Sequence, residues 1–267
     1  MKTNLPYNLH SHTNRCGHAS GEDYEYCNAA LAAGFRELGF SDHVFLPGVH
    51  QPTIRADVSR LDEYLNSIKS LKETYKGRLL IRAGFEAEWL GKKMEDYYRA
   101  LLQRGDFEYL CLGQHGYLEN GEIHWYARLP REVRLQRFAD DLIAGMASGL
   151  FSFVCHPDMF VHWQGEWDKE IDEVTRRIAQ ASIEYDIPLE INGSYLRSQS
   201  PVKHLDPLNY PCPMFWEVIS TYGCKTVIGI DAHSPADYEV TDYDYLFEFA
   251  KKHKLNLLLE SPLSAKK

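Results

Sequence analysis

An α/β fold of parallel strands, closed or nearly closed into a barrel, is what this sequence predicts, and three observations carry that reading. Seven short apolar runs recur along the chain, amphipathic helical patterns separate them, and no Pro/Gly/Ser-rich linker, repeat or low-complexity tract interrupts the alternation. Strand, helix, strand in succession means parallel strands joined by crossovers, and seven of them suit a barrel better than two separate sheets. A doubly wound open sheet is the alternative. With 267 residues, 44% of them hydrophobic, one domain spanning 1–267 has enough apolar surface to bury a large core.

The strands are expected at Tyr7 to His12, Glu37 to Ser41, Leu79 to Glu86, Tyr109 to Gly113, Phe151 to Cys155, Leu189 to Asn192 and Val227 to Ile230. Each is short and rich in apolar or β-branched residues. Between them, spacings of three and four mark helices with one buried face: Leu61, Leu65, Ile68 and Leu71; then Leu135, Phe138, Leu142, Ile143 and Met146; then Ile171, Val174, Ile178 and Ala181.

Charge and composition narrow the function. The 29 Lys+Arg against 38 Asp+Glu give a formal charge of -9, which argues against broad capture of a nucleic-acid backbone. No nucleic-acid partner is expected, and a small anionic substrate would need a local cationic site. No stretch approaches the ~18 consecutive apolar residues of a membrane span. The first seven residues, Met1 to Tyr7, lack the apolar core of a secretory signal, so the expected address is the cytoplasm, with no membrane partner. Six scattered cysteines with no CxxC pair read as reduced, buried thiols.

Chemistry concentrates where the strands end. Because strand side chains alternate with a period of two, His10 and His12 point the same way and can grip one metal ion. His18 follows in the loop, His43 closes the second strand, Glu86 the third, His115 the fourth, His156 the fifth, and Asp231 and His233 the seventh. Any one of these residues has an ordinary reading as a packing or surface residue. Seven of the twelve histidines at one end of a parallel barrel do not, because that end gathers residues far apart in sequence. Imidazole and carboxylate without a cysteine cluster favour Zn, Mn or Fe over Ca or Mg. Nine candidate ligands exceed one tetrahedral shell, and Glu86 and Asp231 can each bridge two ions, so a cluster of two or three is implied. His50, His124, His162, His204 and His253 match no ligand pattern.

These residues, His10-Ser11-His12, His18, Ser41-Asp42-His43, Gly84-Phe85-Glu86, His115, His156-Pro157-Asp158 and Asp231-Ala232-His233, resemble the PHP (polymerase and histidinol phosphatase) metallohydrolase superfamily. The likeness runs from residue 10 to 233. Leu189 to Arg197 is similar to a sixth-strand motif of its histidinol-phosphate phosphatases, Glu-x-Asn-x-x-Gly-x-Arg, with Tyr195 near the usual glycine. Gln114 stands before His115, where the family often has serine.

The resemblance implies a distorted (β/α)7 TIM-like barrel with metals at the carboxyl-terminal face. It implies that His10, His12, Glu86 and Asp231 hold one ion, Glu86, His115 and His156 a second, and His18, His43 and His233 a third. It also implies hydrolysis of a small-molecule phosphomonoester, with L-histidinol phosphate of histidine biosynthesis as the expected substrate. Asp231 or His233 would supply the leaving-group proton and Arg197 a cationic contact to phosphate. Asp158 is expected against a substrate ammonium group, and aromatic loop residues around Trp125 and Trp163 against a ring. Another phosphoesterase of the superfamily, acting on a different monophosphate or on nucleic-acid ends, is the alternative; a non-catalytic metal-binding protein is the alternative from another class.

Overall fold

The computed structural model of the protein describes residues 3–163, 166–194 and 210–264. Tyr7–Asn8 (β1) pairs in parallel with Glu37–Phe40 (β2), β2 with Leu80–Ala87 (β3), and β3 with Tyr109–Leu112 (β4). After β4 comes an antiparallel hairpin that the sequence reading does not anticipate, Gly116–Glu119 (β5) with Glu122–Trp125 (β6). Its two-residue turn, Asn120-Gly121, has φ of 52° and 86°. Asn-Gly is the pair that tolerates two such residues in succession.

The expected fifth strand is a correction. Of Phe151 to Cys155, only Val154 makes strand bridges, to Leu112 on one side and Leu189 on the other. Two local features cut it short. His156 turns into a left-handed backbone at φ 31° directly after it. On the facing side Pro188 carries no amide, so only its carbonyl serves, accepting from Val154 N at 2.9 Å. Beyond this point Leu189–Asn192 (β7), Lys225–Gly229 (β8) and Asn256–Leu257 (β9) form a second parallel set. The first strand is also shorter than expected, but Ser11 beyond it bridges Ala232 beyond β8. The sheet therefore curls round and returns on itself.

Helices cover the outside: Asp23–Ala33 (α1), Leu61–Thr74 (α2), Lys92–Leu102 (α3), Arg131–Ala147 (α4), Lys169–Glu184 (α5), Pro213–Tyr222 (α6), Asp237–Val240 (α7) and Tyr243–Lys252 (α8). The apolar positions singled out in α2, α4 and α5 face inward; in α5, Ile171, Val174, Ile178 and Ala181 are all buried. Each such side chain contributes roughly 1.5–3 kcal/mol on leaving water. Asp168 starts α5 by accepting from Glu170 N and Ile171 N, both at 3.0 Å. A small cluster, Tyr7, Leu9, Tyr109, Cys111, Phe153, Cys155 and Val227, is drawn from strands all round the ring and fills its interior. All six cysteines are free and buried. Among the described residues no helix is long and apolar enough to cross a membrane.

Candidate metal centre

The strand ends are tied to one another before any ligand is placed. Asn8 Nδ2 lies 3.0 Å from His10 O and 2.9 Å from Ser11 Oγ, while its Oδ1 accepts from Ile230 N at 3.1 Å, so one side chain joins the ends of β1 and β8. Ser11 N donates to Ser41 Oγ at 3.0 Å, carrying the link to β2. Thr13 donates to Asp42 through both its amide and its hydroxyl, at 2.5 and 2.6 Å. Asp42 thus anchors the loop after β1, and burial pushes its carboxyl up to about 6.

Glu86, 1% exposed, is the hub. Its Oε2 lies 3.6 Å from His10 Nε2, 3.4 Å from His12 Nε2 and 3.1 Å from His43 Nδ1. Its Oε1 lies 2.8 Å from His156 Nε2 and 3.4 Å from His115 Nε2. Asp231 Oδ1 lies 3.3 Å from His10 Nε2 and 3.2 Å from His12 Nε2. A tetrahedral shell with bonds of ~2.0–2.1 Å has edges of about 3.3–3.4 Å. The separations among His10, His12, Glu86 and Asp231 match those edges.

Two facts test whether these residues fit a cation. His10 Nε2, both nitrogens of His12 and His43 Nδ1 are buried without a hydrogen-bond partner, an arrangement that polar groups avoid unless a ligand completes them. His18 Nε2 and His233 Nε2 face each other at 3.1 Å while main-chain carbonyls take up both Nδ1 atoms. Those carbonyls are Cys16 O and Thr53 O for His18, each at 3.0 Å, and Asp231 O for His233 at 3.1 Å. The donor set fits.

The electrostatics agree. Burial works against ionising Glu86, yet His115, His43 and His10 outweigh it and hold the carboxyl well below its usual range. Asp231 is held down in the same way by His10 and His233. Burial, with His233 beside it, drives His12 down to about 3, and burial also drives His43 well below the usual imidazole value. Burial opposes a proton on His10, but Glu190, Asp231 and Glu86 together raise it well above that value. Ionised Glu86 and Asp231 beside neutral His12 and His43 are the states that metal binding requires, whereas on His10 and His115 a bound cation would displace the proton that the neighbouring carboxylates favour.

Room for the carboxylates comes from two glycines. A Cβ on Gly113 would collide with Glu86 Oε1, and one on Gly229 with Glu190 Oε1. His156 and Asp231 both sit at positive φ, 31° and 49°. Side chains rarely adopt that backbone unless the surroundings hold it.

All nine expected ligands, His10, His12, His18, His43, Glu86, His115, His156, Asp231 and His233, converge on this face. The sequence reading missed their supports. Glu190 Oε1 lies 2.8 Å from His10 Nδ1, and its Oε2 accepts from His156 N at 2.9 Å and Asn192 Nδ2 at 2.8 Å. The Glu-x-Asn pattern already contained Glu190, and a buried acid two residues from a buried amide was the available signal. Glu88, two residues beyond Glu86, was equally visible.

Asp158 is a correction. It is fully buried away from the cavity, and its Oδ2 accepts from Cys212 N at 2.7 Å and Trp216 Nε1 at 3.0 Å, so it anchors the start of α6. Burial pushes its carboxyl up to about 6. Arg197 and His204 lie outside the described residues. His124 stacks on Tyr117. His162 packs beside Tyr210 and His253 beside Phe249. A cavity of about 250 Å³ opens over the cluster, walled by Trp125, Met159, Tyr210, Ile54 and Ser194.

The comparisons with known proteins agree with this geometry. A Deinococcus radiodurans protein named "Probable histidinol-phosphatase" is 29% identical over 238 residues, covering 85% of this chain and 86% of its own length. The histidinol-phosphatase of Bacillus subtilis is 32% identical over 124 residues, 39% of this chain and 46% of that protein. A crystal structure of histidinol phosphate phosphatase from Lactococcus lactis, complexed with zinc, L-histidinol and phosphate, superposes with a TM-score of 0.72 at 15% identity, covering 97% of this chain and 98% of that one. That likeness establishes the fold. The PHP domain family matches residues 8–194, well over half of the chain, and the protein belongs to the PHP domain family.

Proposed function

We propose that this chain is a metal-dependent phosphomonoester hydrolase that converts L-histidinol phosphate and water to L-histidinol and inorganic phosphate. The observation that carries the reading is Glu86, one buried carboxylate facing histidines with both oxygens, as a residue shared between two ions must. The relative named "Probable histidinol-phosphatase", matched over 86% of its own length, supports the same substrate. A cytoplasmic place in histidine biosynthesis goes with it.

His10, His12, Glu86 and Asp231 are assigned to one ion, Glu86, His115 and His156 to a second, and His18, His43 and His233 to a third, with Zn, Mn and Fe all compatible with the donors. Bound divalent ions supply Lewis acidity to a phosphoryl oxygen and to an attacking water. The chain's own residues do the rest. Glu190 keeps His10 Nδ1 occupied, so that Nε2 faces inward. His233 has Nδ1 on the main-chain Asp231 O and Nε2 beside His18, which turns Nε2 into the cluster. Asp231, ionised at rest, is assigned the uptake of the attacking water's proton and its delivery to the leaving alkoxide, with His233 the other group placed for that step. Arg197 is assigned to phosphate on its residue type and its place after the sixth strand. Trp125 and Tyr210 wall the side where an imidazole ring would stack.

The test is a phosphate-release screen over metabolite monophosphates, run on protein of measured metal content. L-Histidinol phosphate should exceed a generic aryl phosphate at least ~100-fold in kcat/KM, roughly 2.7 kcal/mol of differential transition-state binding. A better substrate elsewhere in the panel would overturn the substrate and leave the class. Silence from the metal-loaded protein across the panel would overturn both.

A further inference from the structure

Arg55 and Glu88 form the most deeply buried Lys/Arg–carboxylate pair among the described residues, with side chains 0% and 1% exposed. Arg55 Nη2 donates to Glu88 Oε1 at 2.8 Å and Nη1 to Glu88 Oε2 at 3.2 Å, a two-pronged grip. Nη1 also reaches Val44 O at 3.0 Å, and Nε reaches Gln51 Oε1 at 3.0 Å. The far side of Glu88 faces the cluster, with Oε1 3.6 Å from His115 Nδ1. On the same ring, Nε2 lies 3.4 Å from Glu86 Oε1.

Stability alone does not account for such a pair, because well-packed apolar residues of similar volume commonly serve as well or better. Its placement does. Arg55 reaches the main chain just after His43 and the carboxylate just after Glu86, and through that carboxylate the ring of His115. The pair thus touches the ends of β2, β3 and β4 together. Glu88 stands behind the Nδ1 side of His115 at 3.6 Å, on the side where Glu190 hydrogen-bonds Nδ1 of His10 at 2.8 Å.

We propose that Arg55 and Glu88 are positioning residues that hold His115 with Nδ1 protonated toward Glu88 and Nε2 directed at the metal position it shares with Glu86. Arg55 acts through Glu88: its two prongs fix the carboxylate plane, and the carboxylate fixes the ring. The proposal rests on the metal-centre reading above, and its test uses zinc alone, so substrate identity does not enter.

Two variants decide it. Glu88→Gln keeps the shape and removes the charge; Arg55→Met with Glu88→Leu removes both charges and strands neither. Each is titrated with zinc under a competing chelator, beside the unmodified protein, with circular dichroism to check the fold. In both, one zinc per chain should bind ~10–100-fold more weakly while the remaining zinc is unchanged. A folded double variant whose zinc titration matches the unmodified protein would reduce the pair to packing and overturn the proposal. If the double variant does not fold, an unaltered titration of Glu88→Gln overturns it instead. Unmodified protein that takes up no zinc would overturn the metal centre and the positioning role together.

Discussion

From β1 to β4 the strands run in continuous parallel pairing; Glu86 lies in β3 itself, and His10, His12, His43 and His115 follow within four residues of the ends of β1, β2 and β4. In the other half the fifth strand is reduced to Val154, and two of the three assigned ligands, His156 and Asp231, sit in left-handed backbone. The first half positions its residues on a continuous sheet ladder, with Ser41 and Asp42 holding the amides of Ser11 and Thr13 beyond β1. The second positions them with side chains that capture main-chain amides: Glu190 holds His156 N and Asn8 holds Ile230 N. Ligand geometry can thus come from regular strands or from a few buried polar residues, and the two are vulnerable to different substitutions.

The comparison breaks most completely at the residue where the halves meet. Glu86→Gln should lower turnover at least ~10³-fold, about 4 kcal/mol of barrier, and elemental analysis should show lost metal. Unchanged stoichiometry with turnover within ~10-fold of the parent would mean that the halves do not share this carboxylate.

Glu190→Gln sharpens the contrast, since it weakens the main-chain capture at His156 in the irregular half together with the support behind His10. Loss of the charged acceptor behind His10 and His156 should cost about 1–3 kcal/mol in denaturant unfolding. Metal affinity should fall ~10–100-fold as well. Ser41→Ala, which removes the hydroxyl under Ser11 N in the ladder half, should cost only about 1 kcal/mol, and equal losses from the two would erase the distinction.

Gly113→Ala and Gly229→Ala push a methyl group against Glu86 and Glu190 respectively, one in each half. Each should cost about 1–3 kcal/mol by overpacking, read as a lowered thermal midpoint. Of the two, Gly113→Ala should disturb metal binding more, because Glu86 is itself assigned as a ligand. Smallest is His50→Gln, an exposed histidine outside both halves of the centre. Stability should stay within about 0.5 kcal/mol and metal content should not move.

The strand-end histidines were legible because a period of two and a parallel ring are enough to send them to one face, and the order of the strands followed from their alternation with helices. The β5–β6 hairpin was legible in principle through Asn120-Gly121. The shortened fifth strand was not, because it depends on Pro188 and His156 acting from two segments that meet only in the folded chain. Asp158 misled for a similar reason. Its partners Cys212 and Trp216 lie 54 and 58 residues further on, and an acid beside a ligand motif looks the same whether it faces a substrate or a helix start. The Arg55–Glu88 pair spans 33 residues and was invisible to any local pattern.

The bridge between Ser11 and Ala232 also has a consequence in time. On the ribosome, His10 and His12 emerge first, while Asp231, which completes their set, follows on the order of 10–40 s later at about 5–20 residues per second. Through that interval the nascent first half carries a histidine pair with no matching acid from the closing strand. The set assigned to the first ion thus stays one donor short until translation has delivered nearly the whole chain and the ring can shut.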